Sequence, residues 1–139
     1  MRPLIGYIAL FVFFGCSSAL QKEDLKYLNG YWEIVEVEFA NGQKKEYQIS
    51  TLIDYIALDG LSGFRKKVQP QFNGTYKTSD DAEEFNIVEK DHGLMISYGE
   101  GLEQWEEELI SLRENEFSVR NQDGNIYRYQ RYEPLNLEP

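Results

Sequence analysis

Residues 25–39 read LKYLNGYWEIVEVEF, and this stretch carries the strongest structural signal in the chain. Leu25 and Leu28 lie one helical interval apart in an otherwise polar segment that ends at Gly30. Hydrophobic residues at this spacing, closed by a glycine, are typical of a short helix. We therefore predict a short tether and a helical turn over residues 18–29.

A strand is predicted directly after this turn, over residues 30–39. In its second half, hydrophobic residues alternate with glutamates, which indicates one buried and one solvated face. The hydrophobic positions of that alternation are Val35, Val37 and Phe39. Trp32 and Ile34 fall on the opposite parity, which predicts a β-bulge or burial on both faces near the start of the strand.

The rest of the chain consists of short runs rich in Val, Ile, Tyr and Phe, each closed by a turn signal such as Asn41-Gly42 or Asn73-Gly74. Asn and Gly tolerate the positive φ of tight antiparallel turns. Short strands at regular intervals, without a long helix between them, predict an antiparallel sandwich or barrel. The predicted strands cover 30–39, 44–49, 53–58, 63–69, 74–79, 84–90, 94–98, 103–112, 116–122 and 125–132.

Composition limits the classes of function. The 139 residues suffice for one domain, and 24 acidic against 14 basic residues give a net charge of −10. Such a charge repels phosphates, so we expect no nucleic-acid partner. A single Cys and a single His exclude a disulfide framework and a Cys/His zinc cluster.

The first sixteen residues, MRPLIGYIALFVFFGC, have the pattern of a secretory leader. Arg2 supplies the positive start, and an uncharged apolar run extends from Leu4 to Phe14. The run is shorter than the about 20 apolar residues of a membrane-spanning helix, so we expect it to be cleaved. The only Cys of the chain, Cys16, follows Gly15 at the end of the run.

The segment ending in Gly15-Cys16 resembles the lipobox of bacterial lipoproteins. That resemblance implies a diacylglycerol group on the Cys16 thiol, cleavage before Cys16 and acylation of the new amino group. Ser17 follows the Cys where inner-membrane lipoproteins of Gram-negative bacteria carry Asp, which implies the outer membrane. The implied partner of the N-terminus is thus a membrane, reached through the lipid on Cys16.

The pattern Leu25-x-x-Leu28-x-Gly30-x-Trp32 resembles the G-x-W signature of lipocalins, and residues 30–132 are similar to small lipocalin-like lipoproteins of Bacteroidetes. The resemblance implies an all-β, small antiparallel lipocalin-like (calycin) barrel of about eight to ten strands after a short N-terminal helical turn. Within it, Trp32 closes the barrel floor under an Arg of the last strand, either Arg131 or Arg128. The implied organisation is a leader over 1–15, a lipidated tether and turn over 16–29, the barrel over 30–133 and a tail over 134–139.

Residues 102–112 favour two different structures. Their spacing predicts a helical stripe, and their glutamates are good helix formers. We predict a strand instead, because Ile110 interrupts the polar face of such a helix and the family resemblance requires a long strand here. The residues of the stripe are Leu102, Trp105, Leu109 and Leu112.

Arg65, Lys66 and Lys67 form the main basic concentration of an acidic chain. They are candidates for a patch that contacts anionic head groups or an acidic protein, although exposed charges that protect a sheet edge explain them equally well.

Other clusters predict no catalysis. The acidic run 80–84 lacks the spacing of a calcium loop, and neighbouring carboxylates at 106–108 point to opposite faces of a strand. His92 lies in a turn without a second His or Cys to share a metal. We therefore expect no enzyme, metal site or cofactor.

Two functions remain open. The first is a membrane-tethered module that binds a small apolar or amphipathic ligand inside the barrel. The second is an accessory envelope lipoprotein that contacts another envelope protein and holds no internal ligand. An open cavity favours the first function, and an interior filled with tyrosines favours the second.

Overall fold

The computed structural model describes residues 20–48, 51–78, 81–91 and 93–134. Two 3₁₀ turns, Lys22–Leu28 and Gly101–Glu103, accompany ten strands in this part of the chain. The strands are β1 Gly30–Glu38, β2 Lys44–Glu46, β3 Ile53–Asp59, β4 Ser62–Pro70, β5 Tyr76–Thr78, β6 Glu83–Lys90, β7 Gly93–Tyr98, β8 Trp105–Leu112, β9 Glu116–Arg120 and β10 Ile126–Arg131.

Eight of these strands close into an antiparallel barrel in the order β1-β3-β4-β6-β7-β8-β9-β10, and β10 pairs with β1. The two short strands lie beside this path, because β2 pairs with the end of β1 and β5 with the end of β4. Closure removes the sheet edges that invite aggregation. The predicted all-β, lipocalin-like barrel behind a short helical turn is confirmed.

The predicted β-bulge in β1 is present. The register of β1 against β10 shifts between Ile34 and Glu36, so the alternation of the strand changes phase there. Trp32 before the shift and Val37 after it are consequently both buried. Phe39 lies beyond the end of the strand and is exposed, unlike the expectation of a buried face that extends to it.

The contested segment is the strand β8. It pairs with β7 on one side and β9 on the other, and a register shift lies between Leu109 and Ser111. This bulge buries Leu109 and Leu112 although they lie three residues apart, and it leaves Ile110 exposed. The helical spacing of the hydrophobic residues in this segment thus results from a bulge in a strand.

The floor of the barrel is apolar and lies at the N-terminal end of β1. Leu25 and Leu28 of the first 3₁₀ turn are buried against it, and Trp32 is fully buried. The Trp32 indole nitrogen donates a hydrogen bond of 2.9 Å to the carbonyl oxygen of Leu28. Replacing a buried Trp by Ala lowers the free energy of unfolding by about 3 to 5 kcal/mol. The packing of Trp32 and its hydrogen bond to Leu28 therefore hold the turn under the barrel.

Candidate ligand-binding cavity

A cavity of about 720 Å³ opens at the end of the barrel opposite the Trp32 floor. Antiparallel pairing places the end of β1 and the start of β8 together at this open end. The cavity is lined by Asp54, Arg65, Lys66, Lys67, Asp81, Ala82, Glu83, Trp105, Glu107, Asn121, Tyr127 and Tyr129.

The inner wall of the cavity is a layer of ionisable side chains, which we call the polar layer: Asp54, Arg65, Tyr98, Glu107 and Tyr129. It lies above the apolar floor, since the Tyr129 ring stacks on Phe117 with centroids 4.6 Å apart and Phe117 in turn meets the Trp32 ring edge-on at 4.7 Å.

Arg65 connects the members of the polar layer. Its Nε donates to Asp54 Oδ1 at 3.3 Å, and its Nη2 lies 3.2 Å from Asp54 Oδ2. Nη1 donates to the Tyr98 hydroxyl at 3.2 Å and Nη2 to the Tyr129 hydroxyl at 2.8 Å. The guanidinium is thus held by four strands and has little freedom to turn toward the cavity.

The two carboxyls near Arg65 are in different electrostatic states. Burial alone would raise the pKa of Asp54, but the charges and hydrogen bonds of Arg65 and Lys67 outweigh it and hold that pKa below its usual range. Burial raises the pKa of Glu107, which lies farther from Arg65, at 3.8 Å between Oε1 and Nη1. The charges of Asp54 and Glu83 add to this upward shift, and Arg65 with the Tyr98 hydroxyl offsets it only in part.

The tyrosines of the polar layer keep their protons. Burial raises the pKa of both Tyr98 and Tyr129, although the charge of Arg65 opposes the shift. Both hydroxyl oxygens accept from Arg65, so their protons remain available as hydrogen-bond donors. The Tyr98 hydroxyl favours the charged form of Glu107 and so lowers the pKa of that carboxyl.

Aromatic rings form the outer wall. Trp105 stacks on Tyr98 at 4.1 Å between ring centroids, with an interplanar angle of 13°. It is nevertheless 39% exposed, so part of the indole is open to the cavity that it lines. Tyr127 lines the same cavity, and its hydroxyl accepts a hydrogen bond from the Asn121 amide at 3.3 Å.

The lipocalin-type residues of the sequence meet at the floor. The Arg131 guanidinium lies over the Trp32 ring, 3.9 Å from its centroid, and donates to the carbonyl oxygens of Asn29, Tyr27 and Glu114. Gly30 has a φ of 121°, and a Cβ there would collide with the Arg131 side chain. Arg128, the alternative partner of Trp32, instead pairs with Glu36 and Glu38 on the outer face.

A family model described as a lipocalin-like domain matches residues 28–119, well over half of the chain. The chain belongs to the lipocalin-like family. No curated protein matches its sequence.

Among solved structures, the lipocalin-like protein is similar to a lipocalin-like protein from Bacteroides uniformis, with 11% identity and a TM-score of 0.47 over 76% of this chain and 99% of the other. An uncharacterized protein from Bacteroides eggerthii has 13% identity and a TM-score of 0.47 over the same shares, 76% and 99%. Lobster apocrustacyanin A1 has 13% identity and a TM-score of 0.46, over 84% of this chain and 67% of that one.

Arg65, Lys66 and Lys67 of the lipocalin-like protein all line the cavity, but their side chains have three different environments. The Arg65 side chain is only 12% exposed and belongs to the polar layer. Lys67 lies on the rim, where its Nζ is 2.8 Å from Asp54 Oδ1. The Lys66 Nζ lies 5.9 Å from the centroid of the Tyr55 ring.

Most of the polar layer was not predicted from the sequence. Asp54 lies in a hydrophobic strand run and is 2% exposed, which is unusual for a carboxylate and signals a buried partner. Glu107 was considered only as one of three adjacent glutamates. Alternation along β8 separates it from its neighbours, because Glu106 and Glu108 pair on the outside with Lys90 and Arg120.

Several residues singled out in the sequence lie outside the described residues, namely Arg2, Gly15, Cys16, Ser17, Asp80 and His92, together with the apolar run from Leu4 to Phe14. Within the described ranges, no group of three or more His, Cys, Asp or Glu side chains is arranged to hold a metal ion. In the same ranges, no helix has the length and hydrophobicity needed to cross a membrane.

Proposed function

We propose that this lipocalin-like protein binds a small amphipathic molecule in the cavity of its barrel. The observation that carries the proposal is the open cavity of about 720 Å³ above a filled, apolar floor. Its volume lies within the range of about 300 to 1,000 Å³ that is usual for small-ligand sites. Members of this family are generally binding proteins without enzymatic activity, and we propose no catalytic step here.

The arrangement of the walls supports an amphipathic rather than a purely apolar ligand. Trp105 and Tyr127 offer ring surface near the opening, whereas the polar layer lies deeper. An apolar molecule that filled the cavity would bury Glu107 without a new hydrogen-bond partner, which is unfavourable. A ligand with one polar end placed inward and an apolar part between the rings matches both regions.

Native mass spectrometry of the protein isolated from its own envelope tests this proposal. We expect a retained small molecule, and we expect the neutral fluorophore N-phenyl-1-naphthylamine to compete for the same site. Ala82→Trp places an indole in the cavity wall and should abolish binding of the fluorophore. Ala40→Trp, at an exposed turn residue outside the lining, is the matched control and should leave binding unchanged.

If the protein carries no small molecule and the two variants bind the fluorophore equally, the cavity is not a ligand site.

We propose further that the protein is tethered to the envelope, at the outer membrane, through lipid on Cys16. The proposal is supported by the uncharged apolar run before Gly15-Cys16 and by the position of the only Cys at its end. Two or more acyl chains give a stable anchor, because each buried methylene contributes about 0.8 kcal/mol. Labelled fatty acid should enter the wild-type chain and not Cys16→Ser, and equal labelling of both would refute the tether.

An accessory role in the envelope is the alternative proposal, and the net charge of −10 supports it through an acidic surface for a basic partner. Crosslinking in intact cells should then trap one abundant envelope protein, and this product should disappear at high salt. Recovery of no such partner would count against the role.

A further inference from the structure

We propose that the polar end of the ligand is cationic, an ammonium group on an apolar chain or ring, and that Glu107 receives it. This inference rests on the proposed function, because it assigns the chemical class of the molecule in the same cavity.

The charge of the buried arginine is already neutralised by Asp54. Nε, Nη1 and Nη2 of Arg65 already donate to Asp54, Tyr98 and Tyr129. Asp54 is 2% exposed, and its carboxylate stands where the acidic head group of a ligand would meet the guanidinium. An anionic ligand would have to displace Asp54 and leave it buried without that partner, which is strongly unfavourable.

The cavity also contains a carboxylate, Glu107, that can accept further hydrogen bonds. Glu107 lines the cavity and is 5% exposed, yet its nearest cation, Arg65 Nη1, is 3.8 Å from its Oε1, beyond hydrogen-bond distance. A carboxylate accepts about four hydrogen bonds. An ammonium group beside Glu107 would add donors and a compensating charge.

The residues that line the cavity include more acidic than basic side chains. Four carboxyls line the cavity, those of Asp54, Asp81, Glu83 and Glu107. Three basic residues also line it: Arg65 and Lys67 pair with Asp54, and the Lys66 ammonium lies near the rings of Tyr55 and Phe64. In the described part of the chain, neither Asp81 nor Glu83 forms an ion pair.

The aromatic ring of Trp105 at the opening also favours a cation. Trp105 covers Tyr98 with one face and remains partly exposed beside Glu107, two residues along β8. Indole faces attract ammonium groups through their quadrupole. Carboxylate and ring therefore favour the same sign of charge at the same place.

Calorimetric titration with three ligands that share one tail tests the inference: decylammonium, decanoate and decanol at pH 7, below their micelle concentrations. The full chain carrying Cys16→Ser is used, so that no acyl chain of its own competes. We expect decylammonium to bind about tenfold or more tightly than decanoate. Glu107→Gln should weaken decylammonium binding about tenfold and change decanol binding by less than about twofold.

Glu83→Gln, at an exposed position on the opening, serves as a second variant whose folding does not depend on a buried charge, and it should weaken only decylammonium. Glu116→Gln, an exposed glutamate outside the cavity lining, is the matched control and should change nothing. Binding of decanol and decanoate as tight as that of decylammonium would overturn the cationic assignment and leave the ligand cavity intact. Binding of none of the three would overturn both proposals.

Discussion

Asp54 pairs with Arg65 inside the barrel, and the lowered pKa of Asp54 makes that pair a source of stability at neutral pH. A carboxyl whose folded pKa lies below its unfolded value of 3.8 stabilises the protein above that value. The stability is lost as the pH falls through the folded pKa. We expect Asp54→Asn to lower the unfolding free energy at pH 7 by about 3 to 5 kcal/mol, because Arg65 is left buried and unpaired.

Urea unfolding of both proteins across pH 2 to 7 measures this difference. The gap should begin to narrow below pH 3.8, where the carboxyl of the unfolded chain takes up a proton, and narrow further as the pH falls through the lower folded pKa. A gap that stays constant over the whole range would mean that Asp54 contributes through packing alone.

The pKa of Glu107 is shifted in the opposite direction to that of Asp54, so its effect on stability has the opposite pH dependence. Its folded pKa lies above the ordinary value of 4.5, so the folded state holds the proton more tightly than the unfolded state does. Stability therefore falls as the pH rises from about 4.5 through the folded pKa. Glu107→Gln should raise the unfolding free energy at pH 7 and leave it unchanged at pH 3.5, by urea unfolding. A less stable variant at pH 7 would contradict this sign.

At the floor, Arg131 and Arg128 offer a matched pair on one strand. Arg131 lies over Trp32 and donates to three carbonyl oxygens, so Arg131→Gln should cost about 2 to 4 kcal/mol of unfolding free energy. Arg128 is 38% exposed and pairs only with Glu36 and Glu38 on the outside. Arg128→Gln should cost less than about 1 kcal/mol. Equal losses in urea unfolding would show that the contact over the indole is not stabilising.

Among the elements, the short strand β5 depends on contacts between aromatic rings. It pairs with the end of β4 by three residues, and the Tyr76 ring stacks on Tyr31 of β1 with centroids 4.3 Å apart and meets Tyr132 at 6.5 Å. Stacked pairs contribute about 0.5 to 1.5 kcal/mol beyond burial. Tyr76→Ser should therefore speed amide exchange in Tyr76–Thr78 about threefold to tenfold.

Exchange in β7, on the far side of the barrel, should not change, and Tyr47→Ser is the control because Tyr47 has only Lys45 over its ring. Equal exchange rates in β5 of both variants would show that the ring contacts do not hold the strand.

Strands and turns could be predicted from the sequence because each is encoded locally. The turn dipeptides and the runs between them predict all ten strands to within a few residues, and the parity of Trp32 against Val37 predicts the bulge in β1. Local spacing failed at Phe39, which is exposed beyond the end of β1, and in β8, where the bulge between Leu109 and Ser111 imitates a helical period. Pairing with β7 and β9 overrides that local preference.

The polar layer of the cavity could not be predicted from local sequence patterns, for a different reason. Arg65 is adjacent in sequence to two lysines, and adjacency suggested a surface patch. Its partners come from three other strands, with Tyr129 sixty-four positions away. A buried ion pair is defined by the register of the closed barrel, which sequence spacing does not specify.

At the scale of the whole molecule, polarity changes from the floor to the opening. The floor is apolar around Trp32, the polar layer lies above it, and the carboxyls of Asp81 and Glu83 lie at the rim. The sequence as a whole has the same excess of acid, with 24 acidic residues against 14 basic ones. The field of the molecule therefore attracts cations toward the opening and destabilises the compact state by self-repulsion.

These two consequences of the charge respond to salt in opposite directions. Raising NaCl from about 10 mM to about 100 mM shortens the screening length from about 30 Å to about 10 Å. At pH 7 this should raise the midpoint of thermal unfolding, because repulsion across a net charge of −10 is screened. The same change should slow association of decylammonium in stopped-flow fluorescence. At pH 4.6, the isoelectric point of the sequence, both effects should vanish. A salt dependence that persists there would assign it to specific ion binding rather than to the net charge.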